Sequence, residues 1–188
     1  YKTIRSHCMM FNCKRLNKCK RPYFLGAKMD IKIIAVGKIK EKFYKQAIEE
    51  YLKRMTSYNN IEIIEVADEP AGQNLSDKEI EQVKEKEGEK ILAKVKEDDY
   101  IISLEILGKQ MTSEQFADFI EEEMKEGFGR NLVFIIGGSN GLSTKVSQRS
   151  NKKLSFSKMT YPHQLMRVIL TEQIYRAYRI INGHPYHK

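Results

Sequence analysis

The segment 137–141, Gly-Gly-Ser-Asn-Gly, has the residue types and spacing of a nucleophile motif. It matches G-x-S-x-G and follows the apolar run LVFII, which predicts a strand, so Ser139 is a candidate nucleophile. A hydrolytic triad would also need an acid and then a histidine further along the chain. Glu172 is the acid after Ser139, and His184 and His187 follow it, whereas no HGGG-type oxyanion segment is present. The motif therefore favours hydrolase chemistry only weakly.

The same glycines also suit a ligand-binding loop. They do not form G-x-G-x-x-G, and they follow the fourth predicted strand rather than the first. The sequence contains no Gly-Lys-Ser/Thr, with which a phosphate-binding P-loop ends. Glycine lets the backbone approach a bound molecule closely, and open α/β sheets bind ligands at the carboxyl ends of their strands. A ligand-binding loop and a plain tight turn both remain open for this segment.

The net charge of the chain originates in its first 28 residues. The 188 residues carry a net charge of +8, and residues 1–28 hold eight Lys and Arg and no acid. All three cysteines lie there too, in a C-x4-C-x5-C spacing unlike that of zinc sites, so we predict no metal centre. We expect Met29 to be the natural start and residues 1–28 to be a non-native or disordered basic leader. The alternative is an arm that becomes ordered on RNA. Residues 29–188 then form a single domain.

The charge of that domain is itself uneven. Residues 140–188 contain nine Lys and Arg and one acid, which predicts a surface that faces a polyanion, although unevenly solvated faces would give the same pattern. No apolar run is long enough for a membrane span or a signal peptide, and the domain lacks cysteine. We therefore expect a cytoplasmic protein with no membrane partner.

Strand-like and helix-like segments alternate from Met29 onward. Short β-branched runs predict strands, and apolar residues at helical spacing predict helices between them. Ser76 and Glu79 form a capping box, which marks the start of one helix. Strands are predicted at 30–36, 61–66, 100–106, 131–136 and 153–157, and helices at 40–56, 76–95, 112–126, 143–150 and 163–181. This alternation predicts an α/β fold with an open, mainly parallel sheet.

The last predicted helix, 163–181, is apolar around most of its circumference. A helix of this kind needs burial on more than one face. One face can pack on the sheet, and we expect the other to meet a second copy of the chain in a twofold homodimer.

Several long motifs resemble one family. They are IIAVGKIKEKFYKQAIEEY, FIIGGSNGL, SFSKMTYPHQLMRVILTEQIYRA and the terminal GHPYHK, and they span residues 29–188. With them the chain resembles the RlmH family of SPOUT-class methyltransferases. The resemblance implies a dimeric α/β fold with a C-terminal trefoil knot. It also implies transfer of a methyl group from S-adenosyl-L-methionine to N3 of pseudouridine 1915, in helix 69 of 23S rRNA, on assembled 70S ribosomes.

The resemblance also implies the positions that bind the cofactor. They lie at three strand ends, where apolar side chains suit the adenine and backbone groups can contact its edge. The implied residues are Leu104, Gly137, Phe156, Ser157, Lys158, Met159, Thr160 and Tyr161. Under this interpretation Gly137 allows close backbone approach to the cofactor, and Ser139 is no nucleophile.

The end of the chain supplies the candidate catalytic residues. His187 is our first choice for a group that contacts or deprotonates the base, and Tyr186 could orient it. Lys188 could contact phosphate, although some relatives carry Arg there. The family suggests that these residues enter the site of the second protomer. A frayed polar tail is the alternative.

Two residues of the long helix are further substrate-binding candidates. Arg167 lies one helical turn after His163, and both could face RNA phosphates at the start of the helix. A capping role for His163 is equally compatible with the sequence. A different class of function, a protein that binds RNA or nucleotide without catalysis, also remains open.

Overall fold

The five runs of β-branched residues form one parallel sheet in the computed structural model, which describes residues 29–70, 72, 75–126 and 130–187. Residues 1–28 and Lys188, for which we made predictions, lie outside the described residues. The strands are β1 Ile31–Val36, β2 Ile61–Val66, β3 Tyr100–Gln110, β4 Leu132–Ile136 and β5 Lys152–Ser155. The predicted α/β class and the parallel sheet are confirmed.

The order of the strands in the sheet is β2-β1-β4-β3-β5. The central strand β4 pairs with β1 on one side and β3 on the other, and Phe134 lies opposite Ile33 and Ile102. All five residues of β4 are buried, as expected for a parallel strand that is covered on both faces. The carboxyl ends of all five strands therefore meet at one edge of the sheet.

Alternating side chains of the strands enter two separate cores. Leu132, Phe134 and Ile136 belong to the larger core, whereas Val133 and Ile135 belong to the smaller one on the other face. This division follows from the two-residue period of a strand. Helices α1, α3 and α5 contribute to the larger core, and α2 and α4 to the smaller one.

The helices begin and end close to the predicted positions. They are α1 Lys42–Met55, α2 Asp77–Leu92, α3 Ser113–Glu126, α4 Thr144–Arg149 and α5 His163–Ile181. The predicted capping box is present, because the Ser76 hydroxyl accepts from the Glu79 backbone N–H while the Glu79 carboxylate accepts from that of Ser76. The helix predicted over 112–126 is α3, and residues 127–129, which follow it, lie outside the described residues.

Contacts within the chain account for most of the apolar surface of α5. This helix contacts α1, α3 and β4, and Leu170, Ile174 and Tyr178 are buried in the larger core. Leu165, Val168 and Ile169, in contrast, are partly exposed and belong to neither core. Among the described residues, no helix has the length and apolarity that a membrane crossing requires.

Candidate functional site

A cavity of about 710 Å³ opens at the carboxyl ends of the strands. Three segments surround it: the end of β3, the glycine-rich loop after β4, and the connection from β5 into α5. The lining residues are Leu104, Glu105, Ile106, Ile136, Gly137, Gly138, Ser139, Asn140, Gly141, Leu142, Leu154, Ser155, Phe156, Ser157, Met159, Thr160, Tyr161, Pro162, His163 and Met166. The three segments that carry the predicted cofactor residues are thus brought together, although Lys158 itself does not line the cavity.

The glycine-rich loop folds back on its own backbone. The Gly141 N–H donates to the Gly138 carbonyl at 3.1 Å, and Gly141 has a φ of +86°. A Cβ on Gly137 would lie 2.9 Å from the backbone C and O of Gly141, closer than real Cβ contacts. Gly137 is therefore required for the shape of the loop itself, whereas the sequence interpretation attributed it to close approach of a ligand.

Ser139 stands in the turn that these glycines make. It is exposed, and the helix that follows begins only at Thr144. A nucleophile elbow places its serine on a strained turn between strand and helix. Among the described residues, no residue other than glycine has a positive φ. Ser139 is therefore not in the conformation of a nucleophile elbow, and the structure does not support the hydrolase hypothesis.

A bulge at the end of β3 shapes the second wall. In the pairing of β3 with β5, Leu104 and Lys109 both lie opposite Leu154, so that residues 105–108 bulge from the ladder. A Cβ on Gly108 would lie 2.7 Å from the backbone of Leu154, so only glycine fits there. The predicted strand end at 106 missed this bulge, and β3 continues to Gln110.

Glu105 is a cavity residue that our sequence predictions missed. Its two carboxylate oxygens accept hydrogen bonds from the hydroxyls of Ser103, at 2.6 Å, and Ser147, at 3.2 Å. Ser103 lies two residues earlier on the same face of β3, and Ser147 lies on α4. The available signal was an acid in an otherwise apolar strand end, LEIL, but nothing local showed that it faces a cavity.

The connection from β5 to α5 forms the third wall. The Ser155 hydroxyl donates to the Ser157 carbonyl at 3.0 Å, and the Met159 N–H donates to the Ser157 hydroxyl at 2.9 Å. Phe156 packs against the larger core, whereas the Met159 side chain is 70% exposed. The loop therefore presents one anchored and one exposed apolar side chain.

His163 lines the cavity at the start of α5. A Cβ on Gly37 would lie 3.7 Å from His163 Nε2, so the ring stands beside the loop after β1. Burial and then the charge of Arg167 lower the pKa of His163, which favours the neutral ring at physiological pH. A neutral imidazole is a poor partner for a phosphate group, although it can accept a proton or share a hydrogen bond.

Arg167 does not face solvent, and the predicted phosphate contact is wrong for this residue. Its side chain is fully buried and donates to the carbonyls of Val36 and Gly37, each at 2.7 Å. A third hydrogen bond, at 3.0 Å, goes to Oε1 of Glu65. Burial lowers the pKa of Arg167, while Glu65 opposes that shift. The guanidinium group thus ties α5 to the ends of β1 and β2.

The predicted catalytic residues Tyr186 and His187 lie outside the cavity. His187 Nε2 is 2.6 Å from Glu114 Oε1 at the start of α3, and the Tyr186 hydroxyl donates to Glu172 at 3.1 Å. A hydrogen bond from its own backbone N–H and then the contact with His187 lower the pKa of Glu114 to about 2. Within one chain, the tail is therefore held against α3 and α5.

The basic residues between α4 and the β5–α5 connection are mostly engaged with their own chain. Lys145 pairs with Glu85 at 2.6 Å, and the Lys152 ammonium lies 4.0 Å from the centroid of the Phe119 ring. Arg149 donates to the backbone carbonyls of Lys96 and Glu97. Within the described ranges, no three His, Cys, Asp or Glu side chains are grouped as a metal site.

The parallel sheet defines an α/β protein, and its cavity lies at the strand ends, where sheets of this kind bind ligands. Residues 29–187 match the family described as "Predicted SPOUT methyltransferase", and the chain belongs to this family.

Solved structures also resemble the chain at low sequence identity. They include "a probable methylase family protein from Haemophilus influenzae Rd KW20", with 10% identity over 81% of this chain and 66% of that one and a TM-score of 0.43. A "probable rRNA-methyltransferase from Porphyromonas gingivalis" shares 10% identity over 86% of this chain and 72% of that one, with a TM-score of 0.42. The SpoU methyltransferase AviRb from Streptomyces viridochromogenes, solved with AdoMet, shares 10% identity over 88% and 63%, with a TM-score of 0.38.

Proposed function

We propose that this protein transfers a methyl group from S-adenosyl-L-methionine to N3 of pseudouridine 1915 in 23S rRNA on assembled ribosomes. The observation that carries the proposal is the cavity at the carboxyl ends of the strands, in a chain that belongs to a methyltransferase family. The motifs near Gly137 and in residues 155–177 support the RlmH assignment within that family.

The cavity fits the cofactor in size and chemistry. Its volume of about 710 Å³ lies within the range of small-molecule sites. Leu104, Phe156 and Met159 offer apolar surfaces for a flat adenine, and the looped backbone at Gly137 and Gly138 offers polar groups for its edge. Gly141, with a φ of +86°, permits the turn that brings this backbone to the cavity.

When bound, S-adenosyl-L-methionine supplies a methyl group on an excellent leaving group. The protein then has to align the acceptor nitrogen with that methyl group and keep water away. N3 of the acceptor base carries a proton. A residue of the protein must either accept this proton or stabilise the base as the proton leaves. We propose His187 for this contact and Tyr186 for orienting the base, and Thr160 and Tyr161 for shaping the cofactor end of the cavity.

We propose that the active unit is a homodimer in which the tail of one copy completes the cavity of the other. The tail carries His187 but does not line the cavity of its own chain. A site formed by one chain alone would therefore lack His187. The partly exposed apolar residues Leu165, Val168 and Ile169 of α5 support a face for the second copy. We also propose that the C-terminal part of the chain is threaded as a trefoil knot, as its family membership favours.

The RNA substrate implies a polyanion-facing surface and a cytoplasmic location. Lys153 and Lys158 are exposed beside the connection into α5, where they could contact phosphates. Lys188, which lies outside the described residues, is a further proposed phosphate contact, and His163 is a proposed neutral contact. Because residues 29–188 carry as many acids as bases, we expect recognition to depend on ribosome shape more than on bulk charge.

The test is methyl transfer from labelled S-adenosyl-L-methionine to ribosomes from cells that lack this methylation. The whole chain is incubated with 70S particles, free 50S subunits and an oligonucleotide copy of helix 69. We expect label in the 23S rRNA of 70S particles, at N3 of pseudouridine 1915 when the RNA is mapped.

His187→Ala provides the matched variant, because His187 does not line the cavity of its own chain and is not among the proposed cofactor residues. We expect this variant to bind the cofactor like the wild type and to lose about 10²–10⁴-fold in methyl transfer, the usual contribution of a positioned acid or base. Cofactor binding without label on any substrate would replace the proposed reaction with a non-catalytic binding function. Full methyl-transfer activity of His187→Ala would contradict the proposed contact of His187 with the acceptor base.

A further inference from the structure

The charged side chain in the cavity lining is acidic, although the proposed substrate is RNA. Among the described residues that line it, Glu105 is the one acid, and no lysine or arginine takes part. Lys158, in the connection of the third wall, is exposed and does not line the cavity. The charged group that a ligand meets inside is therefore a carboxylate.

Glu105 is anchored from two elements. The Ser103 hydroxyl, which is fully buried, donates to Oε1 at 2.6 Å, and the Ser147 hydroxyl donates to Oε2 at 3.2 Å. Each carboxylate oxygen has about two acceptor sites, so each retains capacity for a further partner. Both anchors are neutral, and they orient the carboxylate without cancelling its charge.

The two residues of α5 that line the cavity, His163 and Met166, bring no fixed positive charge to it. His163 lines the same cavity, but burial and the charge of Arg167 lower its pKa and favour the neutral ring. Arg167 does not line the cavity and is paired with Glu65 and with two backbone carbonyls. Among the described residues that line the cavity, Glu105 is consequently the one with a formal charge, and its carboxylate favours a cationic over an anionic ligand group.

We infer that Glu105 is the residue that selects the cofactor by charge, binding its cationic portion and disfavouring adenine nucleotides that bear phosphate. This inference rests on the proposed function, because S-adenosyl-L-methionine is an adenosine whose side chain carries a sulfonium and an ammonium group. Either cation could be the partner of Glu105, and ligands that differ in these groups tell them apart.

The experiment measures binding of four ligands to the whole chain by calorimetry. S-adenosyl-L-methionine has both cations, S-adenosyl-L-homocysteine has only the ammonium group, 5′-methylthioadenosine has neither, and AMP replaces them with phosphate. Glu105→Gln keeps the size of the side chain and an acceptor for one serine while removing the charge. Glu126→Gln, at the exposed end of α3, is the matched control.

We expect Glu105→Gln to weaken S-adenosyl-L-methionine about tenfold, the scale of one charge-assisted contact in a partly exposed site. Binding of 5′-methylthioadenosine should stay within about twofold, and that of AMP should improve. A tenfold loss shared by S-adenosyl-L-homocysteine assigns the ammonium group as the partner, and a loss confined to S-adenosyl-L-methionine assigns the sulfonium. Glu126→Gln should match the wild type throughout.

Two results would overturn the inference. One is an unchanged affinity of Glu105→Gln for S-adenosyl-L-methionine, and the other is an equal loss for 5′-methylthioadenosine, which indicates a structural role. If Glu105→Gln does not fold, the affinities of the wild type still test the inference. A wild-type chain that binds AMP as tightly as 5′-methylthioadenosine contradicts charge selection. A wild-type chain that binds 5′-methylthioadenosine but not S-adenosyl-L-methionine also refutes charge selection. One that binds no adenosine ligand refutes the proposed function instead.

Discussion

Replacing Arg167 tests whether this residue stabilises the fold or binds RNA. The sequence favoured a phosphate contact, whereas the structure buries the guanidinium group among the carbonyls of Val36 and Gly37 and the carboxylate of Glu65. Arg167→Met retains most of the apolar stem and removes the charge and all three hydrogen bonds. The two interpretations then predict opposite results for stability and for RNA affinity.

The magnitude follows from what the replacement leaves behind. Removing one partner of a buried ion pair costs about 3–5 kcal/mol, because the other partner stays buried and unpaired. The Glu65 side chain is 36% exposed and can be rehydrated, which places the expected loss near the lower value, about 3 kcal/mol. The carbonyls of Val36 and Gly37, which belong to buried residues, also lose a partner. For a domain of this size, such a loss lowers the Tm by about 6–12 °C.

The assay is thermal unfolding followed by circular dichroism, together with RNA binding well below the Tm. Arg54→Met is the matched control, since Arg54 forms an exposed ion pair with Glu50 one turn away and its loss should barely move the Tm. Arg167→Lys should fall between wild type and Arg167→Met, because an ammonium group cannot reach all three acceptors as the planar fork does. An unchanged Tm for Arg167→Met combined with weaker RNA binding would refute the burial reasoning and restore the phosphate contact.

Two further predictions concern Gly108 in β3 and Glu87 in α2. Gly108→Ala places a Cβ 2.7 Å from the backbone of Leu154, so we expect a loss of about 1–3 kcal/mol in urea denaturation. Glu87 is buried with an unpartnered Oε2, and burial raises its pKa. In the unfolded chain, Glu87 loses its proton at a lower pH than in the folded chain. The stability of the wild type should therefore fall as the pH rises from the ordinary carboxyl pKa through the raised pKa of Glu87 in the folded chain. Glu87→Gln should flatten this slope and be at least as stable at pH 7.

Each of these predictions has a control on the same chain. For Gly108, the control is Gly72→Ala, where the new Cβ would lie 3.9 Å from the Leu75 side chain, an ordinary van der Waals distance, and equal effects at both glycines would contradict the close-contact explanation. For Glu87, the exposed Glu126→Gln should leave the pH dependence as in the wild type. If the free energy of unfolding changed equally with pH in Glu87→Gln and in the wild type, Glu87 would not contribute to the pH dependence.

Local patterns in the sequence predicted the elements of this fold well. The strands and helices lie within a few residues of their expected positions, and the capping box at Ser76 is present. These features depend on interactions over three or four residues, such as the bond between the Ser76 hydroxyl and the Glu79 N–H. The bulge in β3 was missed, because it arises from contact of Gly108 with Leu154 on another strand.

The candidate site was predicted in part. The positions at Leu104, Gly137 and Phe156 came from resemblance to a family, and all three line one cavity. Glu105 was missed, since its position depends on Ser147 of α4 as well as on its own strand. Arg167 was misinterpreted for a similar reason, because its three partners lie more than a hundred residues away in the chain.

The sequence by itself determined which segments form strands, which form helices, and which faces are apolar, because these properties follow from the period and the local chemistry of neighbouring residues. The tertiary structure alone decided that β4 lies between β1 and β3, that three distant loops surround one cavity, and that Arg167 is buried while Glu105 lines that cavity. These outcomes depend on packing between residues far apart in the chain, where a side chain's environment is set by the elements around it and by no pattern in its own segment.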